Sequence, residues 1–312
     1  MCNGFKSVAI KGKIKEEINI KAVKTLIDEE TGQRINIFEG DTLKVIKKDQ
    51  KEAIHKSIQT KELNEEMKEW NEELGGFVFV LFKYCDQIFK DHPELTSDDI
   101  VKLFYLSTFV DYEGYLIYNE GYMKRKDMNT LLGINIKNFD LFFNKLKKLE
   151  IFIQDENKCI KINKEFFFKG ELKRAITQTY NYTRVYINTI RYLFEHVPKK
   201  KHKQLGTYFK LIPYIHRQQN TLCWNPDSDK SEINLMHVKD LQDILGYHRN
   251  SVRGFIKELL SIRLETGEAI LGFFRTEYDE GKSYVIINPK VFYGGNFKLD
   301  DGKSAVIKWF KI

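Results

Sequence analysis

Between residues 96 and 170, and again between 186 and 295, apolar and polar positions follow the same order. In the first stretch Thr96 or Ser97 is a good N-cap, and Asp98 and Asp99 place negative charge in the first turn, where it complements unpaired N–H groups. Leu103, Phe104, Leu106, Phe109 and Val110 fill the inner side of an apolar helix behind that cap. Residues 112–119 (YEGYLIYN) read as a connection or short strand. Two amphipathic helices and a hairpin over 151–162 follow, and INKEFFFKG closes the stretch at Gly170. The second stretch runs through an apolar-periodic segment at 186–194, the run KKKHKQLG and an apolar helix over 207–215. A polar loop with Trp224, two amphipathic helices and a longer hairpin (270–275 and 284–287, turning at Asp279-Glu280-Gly281) come next, and INPKVFYGG closes it at Gly295.

The likeness is sharpest in KRKDMNTLLGINIKNFDLFFNKLKKL, residues 124–149, and HVKDLQDILGYHRNSVRGFIKELLSI, residues 237–262. Each holds a Lys-Asp pair, then Leu-Gly, then apolar residues at i, i+4 and i+7. These are Phe139, Phe143 and Leu146 in one and Val252, Ile256 and Leu259 in the other. Gly133 and Gly246 are expected to end the first helix of each pair in the left-handed conformation, which costs glycine little. Landmarks keep a nearly constant offset: 209 − 104 = 105 for the Phe pair, 246 − 133 = 113 for the Gly pair and 288 − 163 = 125 for the Asn of each closing Ile-Asn. The offset grows only in loops, as insertions into a shared fold would. We therefore read an internal duplication.

Outside the repeat, residues 1–60 suggest a small β-rich unit, with strands at 23–28, 34–38 and 43–47 separated by Glu29-Glu30-Thr31-Gly32 and Glu39-Gly40-Asp41. Residues 47–73 are highly charged, with Ile54, Ile58, Leu63, Met67 and Trp70 near helical spacing. The apolar run from Phe77 to Phe89 reads as a buried helix. The domains expected are 1–60, 61–175 and 176–312. The fold class expected is mainly α with small β-wings (α+β): two tandem winged helix-turn-helix domains behind the N-terminal unit.

Composition then excludes several classes. With 42% hydrophobic residues and 30% charged, the 312-residue chain has ample core material. The longest apolar run, GFVFVLF, is far short of the roughly 20 residues of a membrane span, and the opening MCNGFKSVAIKGK is no signal peptide. Cys2, Cys85, Cys159 and Cys223 are scattered, so free thiols and a cytoplasmic location are expected, with neither disulfide framework nor zinc site. The seven histidines lack ligand spacing. No P-loop, GxGxxG after a strand, HExxH or GxSxG occurs, so neither enzymatic activity nor a cofactor is expected. The net charge of +7 favours a polyanion only weakly; the placement of the bases matters more.

The quoted motifs, with IKINKEFFFKG and VIINPKVFYGG, resemble the winged-helix domains of replication and regulatory proteins from plasmids and phages of Gram-positive bacteria. The resemblance covers 95–170 and 186–296, and more faintly residues 26–50; Lys164 stands where the pattern has Pro. It implies double-stranded DNA as partner, with homodimerisation and host replication or transcription proteins as further possibilities. The function expected is sequence-specific DNA binding by a plasmid or phage transcriptional regulator. A replication initiator on origin repeats and a protein-interaction scaffold with degenerate winged helices are the alternatives.

Residue chemistry ranks the two repeats. In the second, His248, Arg249, Asn250, Ser251, Arg253 and Lys257 bring bidentate donors for guanine and adenine and groups for phosphate, and Gly254 keeps the face slim. In the first, Asn135, Lys137 and Asn138 are accompanied by Asp140 and Leu141, which contribute little to base reading. Lys199, Lys200, Lys201 and Lys203, with Lys124–Lys126 and Lys145–Lys148 elsewhere, are candidates for phosphate contact. Arg275 and Lys282 are candidates for a minor groove beside the second hairpin.

Overall fold

The computed structural model describes residues 24–27, 34–37, 65, 68–82, 92–171, 181–217, 219–228, 232–246, 249–276, 282–294 and 310. The chain forms two compact units, Met1–Ser57 and Ile58–Ile312. In the first, β1 (Lys24–Ile27) pairs antiparallel with β2 (Arg34–Ile37), Lys24 opposite Ile37 and Ile27 opposite Arg34. The strand expected at 43–47 lies outside the described residues, as does most of the charged segment before 73; residues 68–73 are helical and bury Trp70.

The second unit is organised by a four-stranded antiparallel sheet that no local pattern announces. β3 (Phe77–Phe82) lies at its centre, so the buried helix expected from Phe77 onward is corrected to a strand over its first six residues. The reason is position in the sheet. A strand covered on both faces is apolar at consecutive positions and loses the alternation that would mark it. Val78 and Val80 face the main core, while Phe79 and Leu81 face an aromatic cluster on the other side with Tyr182.

After β3 the first half runs α1 (Ser97–Ser107), β4 (Ile117–Tyr118), β5 (Gly121–Tyr122), α2 (Arg125–Leu132), α3 (Ile136–Lys148), β6 (Phe152–Gln154), β7 (Ile160–Ile162) and β8 (Phe167–Phe168). The second half runs β9 (Asn181–Tyr186), α4 (Ile187–His196), a 3₁₀ turn Lys199–Lys201, α5 (His202–Phe209), a 3₁₀ turn Ile212–Tyr214, α6 (Leu241–Leu245) entered by a 3₁₀ turn Val238–Asp240, α7 (Arg249–Leu260), β10 (Leu271–Phe274), β11 (Tyr284–Ile287) and β12 (Phe292–Tyr293). The sheet order is β12-β9-β3-β8, so each half gives its first and last strands to one sheet.

This arrangement corrects the expected fold class. The protein is mixed α/β with several small antiparallel sheets, not a mainly helical pair of tandem winged helices. The boundary expected near 175 falls within 172–180, outside the described residues. The segments on either side of it share the sheet and one continuous core that includes Val78, Phe104, Phe209 and Phe292.

The halves nevertheless repeat one another closely. Phe79 and Val80 of β3 face Phe168 and Phe167 of β8; Arg184 and Val185 of β9 face Tyr293 and Phe292 of β12. Those pairs are related by the offsets 105 and 125 read from the sequence landmarks. Asn163 and Asn288 serve the same turn: each side-chain oxygen accepts from the N–H two residues on, at 3.0 and 2.9 Å, and each backbone N–H donates to the start of its hairpin, Ile151 O at 2.9 Å and Ile270 O at 3.0 Å. Phe104 meets Phe167 edge-on at 5.1 Å, Phe209 meets Phe292 edge-on at 5.2 Å, and Phe104 and Phe209 meet each other at 4.8 Å. Around those rings α1 and α5 pack very closely. A Cβ on Gly206 would lie 1.8 Å from Ser97 O, so only glycine fits.

Candidate nucleic-acid interface

The Lys-Asp pair that opens each repeated stretch is a capping device. Asp127 Oδ2 accepts from Lys124 N at 2.9 Å, and Asp240 Oδ2 from His237 N at 2.8 Å, so each carboxylate satisfies an N–H that the helix cannot. Gly133 and Gly246 then end the first helices at φ 57° and 67°, as expected. After each turn the second helix buries one stripe: Phe139, Phe142, Phe143 and Leu146 on α3; Val252, Phe255, Ile256 and Leu259 on α7. The stripes match at offset 113, and each holds one residue, Phe142 or Phe255, beyond those expected.

With the stripes buried, the opposite faces are left to solvent. On α7, Ser251, Arg253, Gly254 and Lys257 are exposed. Arg249 and Asn250 lie in its first turn, and His248 is outside the described residues. On α3, Asn135, Lys137, Asn138, Leu141, Asn144 and Lys148 are exposed, Leu141 at 62%. Asn135 caps the helix, its Oδ1 accepting from Asn138 N at 2.9 Å. Lys137, Asn144 and Lys148 share the outer face at helical spacing. Asn144 was not among the expected residues; its place seven residues after Lys137 was the signal. Asp140 does not stand as a free acid, because the Arg125 guanidinium pairs with it and lies over the Phe143 ring, 4.4 Å from its centroid.

The lysines divide by what they touch. Lys145 is half-buried, with Nζ 2.7 Å from Asp99 Oδ2 and 3.2 Å from Glu94 O; Asp99 in turn closes the Thr96 capping box. That lysine ties α3 to α1 and is not placed as a phosphate ligand. Lys199 Nζ donates to Gly133 O at 2.7 Å and Lys201 Nζ to Ser261 Oγ at 2.9 Å. Lys200 and Lys203 are exposed, with no hydrogen-bond or ion-pair partner among the described residues. Arg275 and Lys282 are exposed beside the second hairpin, and the turn between them at 277–281 is outside the described residues.

Among the described residues no cluster of three or more His, Cys, Asp or Glu could hold a metal, and no helix is long and apolar enough to cross a membrane. His202 is buried with Nε2 donating to Val197 O at 3.0 Å, and desolvation pushes its pKa below the ordinary 6.5. His216 is buried too, bonded to Ser228 O at 2.9 Å. Both are structural groups. A cavity among the described residues, between α1, β3 and β8, is lined by Val80, Leu95, Ile100, Leu103, Phe104, Ile151, Phe166 and Phe167, with no polar side chain. No protein-family model, curated protein or solved structure matches this chain.

Proposed function

We propose that this chain is a sequence-specific double-stranded DNA-binding protein that acts in the cytoplasm as a transcriptional regulator of a plasmid or phage. The observation that carries the reading is the repeated pair of helices joined at a left-handed glycine. In each pair the second helix buries one stripe and leaves cations on its outer face, Lys137 and Lys148 on α3 and Arg253 and Lys257 on α7. Such a helix can lie in the major groove, where Arg and Asn side chains discriminate bases and Lys side chains meet phosphate. The α7 face, with Arg253, Lys257 and a glycine that lets a partner approach, is the stronger reader. The α3 face contributes Lys137, Asn144 and Lys148.

The test is selection of bound duplexes from a random library, followed by titration of the preferred site at two salt concentrations. Arg253→Ala is expected to weaken the preferred site by roughly 1–3 kcal/mol while leaving random duplex nearly unchanged. Equal loss on both would assign Arg253 to phosphate. No duplex binding even at low salt would end the DNA reading and leave a protein-interaction scaffold. Bound sites that proved to be direct repeats in an origin, not promoter elements, would replace regulation by initiation of replication.

A further inference from the structure

The lysine run 199–203 does not behave as one basic patch. Its first member crosses from the second half to the first. Lys199 Nζ donates to the carbonyl of Gly133, the residue that ends α2 and opens the turn into α3. An ammonium at that place has a physical reason, since the last carbonyls of a helix lack intrahelical donors and carry the negative end of its dipole. Two residues on, Lys201 Nζ donates to Ser261 Oγ, just past the end of α7. One 3₁₀ turn, Lys199–Lys201, thus touches the turn that leads into α3 and the residue just past the end of α7. Lys200, between them, and Lys203, after them, carry no such bond.

The repeat shows that this link is one-sided. At the offset of 105 that relates α1 to α5, the counterpart of Lys199 is Glu94, exposed and unable to donate to a carbonyl. The counterpart of Gly133 is Gly246. A Cβ built on Gly133 would lie 3.1 Å from Lys199 Nζ, whereas one built on Gly246 meets nothing within 4 Å. The α2–α3 turn is held from the other half, and at Gly246 no matching clamp is found among the described residues.

We propose that Lys199 is a positioning residue for DNA recognition by the first half: it fixes the α2–α3 turn, and with it the direction of α3, while Lys200 and Lys203 hold phosphate. The proposal rests on the DNA-binding reading, and its test separates the two. Lys199→Ala, Lys199→Arg, Lys200→Ala and Lys203→Ala are compared on the selected duplex and on site variants, with amide hydrogen exchange of the free proteins alongside. For Lys200→Ala and Lys203→Ala the slope of log affinity against log salt is expected to fall by roughly 0.9 each, with base preference intact. For Lys199→Ala the slope is expected to hold, while discrimination at the positions read by α3 drops roughly three- to tenfold. Exchange at residues 133–138 is expected to accelerate, and Lys199→Arg to restore both. A Lys199→Ala protein that loses salt slope like Lys200→Ala, with unchanged preference and exchange, overturns the positioning role. Faster exchange in a protein whose wild type binds no duplex would retain the clamp and refute the DNA reading instead.

Discussion

The two halves of this protein share a layout and differ in how it is fastened. In both, a strand enters the common sheet, a helix packs at the centre, two helices meet at a left-handed glycine, and an asparagine turn returns the chain to the sheet. The first half ties its outward helix down: Lys145 to Asp99, Arg125 to Asp140, and Lys199 across to Gly133. The second half leaves α7 with Arg253, Gly254 and Lys257 exposed and no described clamp at Gly246. The shared features are those set by burial and backbone geometry. The unshared ones are ion pairs and hydrogen bonds of charged side chains, exposed for Arg125–Asp140 and Lys199 and half-buried for Lys145–Asp99.

The sharpest way to break the comparison is at its centre. Phe104 and Phe209 occupy equivalent places, both about 1% exposed. Phe104→Ala and Phe209→Ala are each expected to cost about 3–5 kcal/mol in chemical denaturation, with similar values and one cooperative transition. Two separate transitions would show that the halves fold independently. Next in size are the turn glycines. Gly133→Ala and Gly246→Ala each force alanine into the left-handed region, at roughly 1–2 kcal/mol. Gly133→Ala is expected to cost slightly more, because the new Cβ crowds Lys199; Lys199→Ala should remove that excess in a double-mutant cycle.

The smallest effect is one of pH. His202 stands where the first half has Ser97, so only the second half carries a titrating group there. Burial holds its folded pKa below 6.5, so as pH falls through 6.5 the unfolded chain takes up a proton that the folded chain refuses. Stability is fully present above that value and declines below it. His202→Gln, followed by thermal melts between pH 5 and 7.5, should flatten part of that decline; an unchanged profile would assign the slope to other groups.

Much of the layout was legible because it is local. The helix cap at Thr96, the glycine turns and the buried stripes of α3 and α7 are set by side chains within a turn or two of each other. The hairpin strands fell close to their expected places for the same reason. The candidate site was legible as a set of residue types, but not in its sorting. That Lys145 and Lys199 are engaged while Lys200 is open depends on partners 46 and 66 residues away, a separation no periodicity encodes.

By itself the sequence determined the repeat, its offsets, its glycine turns and the inner faces of its helices, because helical period and left-handed backbone are properties of neighbouring residues. The tertiary structure alone decided that Phe77–Phe82 is a central strand, that the halves share a single α/β core, and which lysines serve the fold. Strand pairing and ion pairing join groups about a hundred residues apart in β3 and β9 or scores apart in the lysines, and only the folded chain selects those partners.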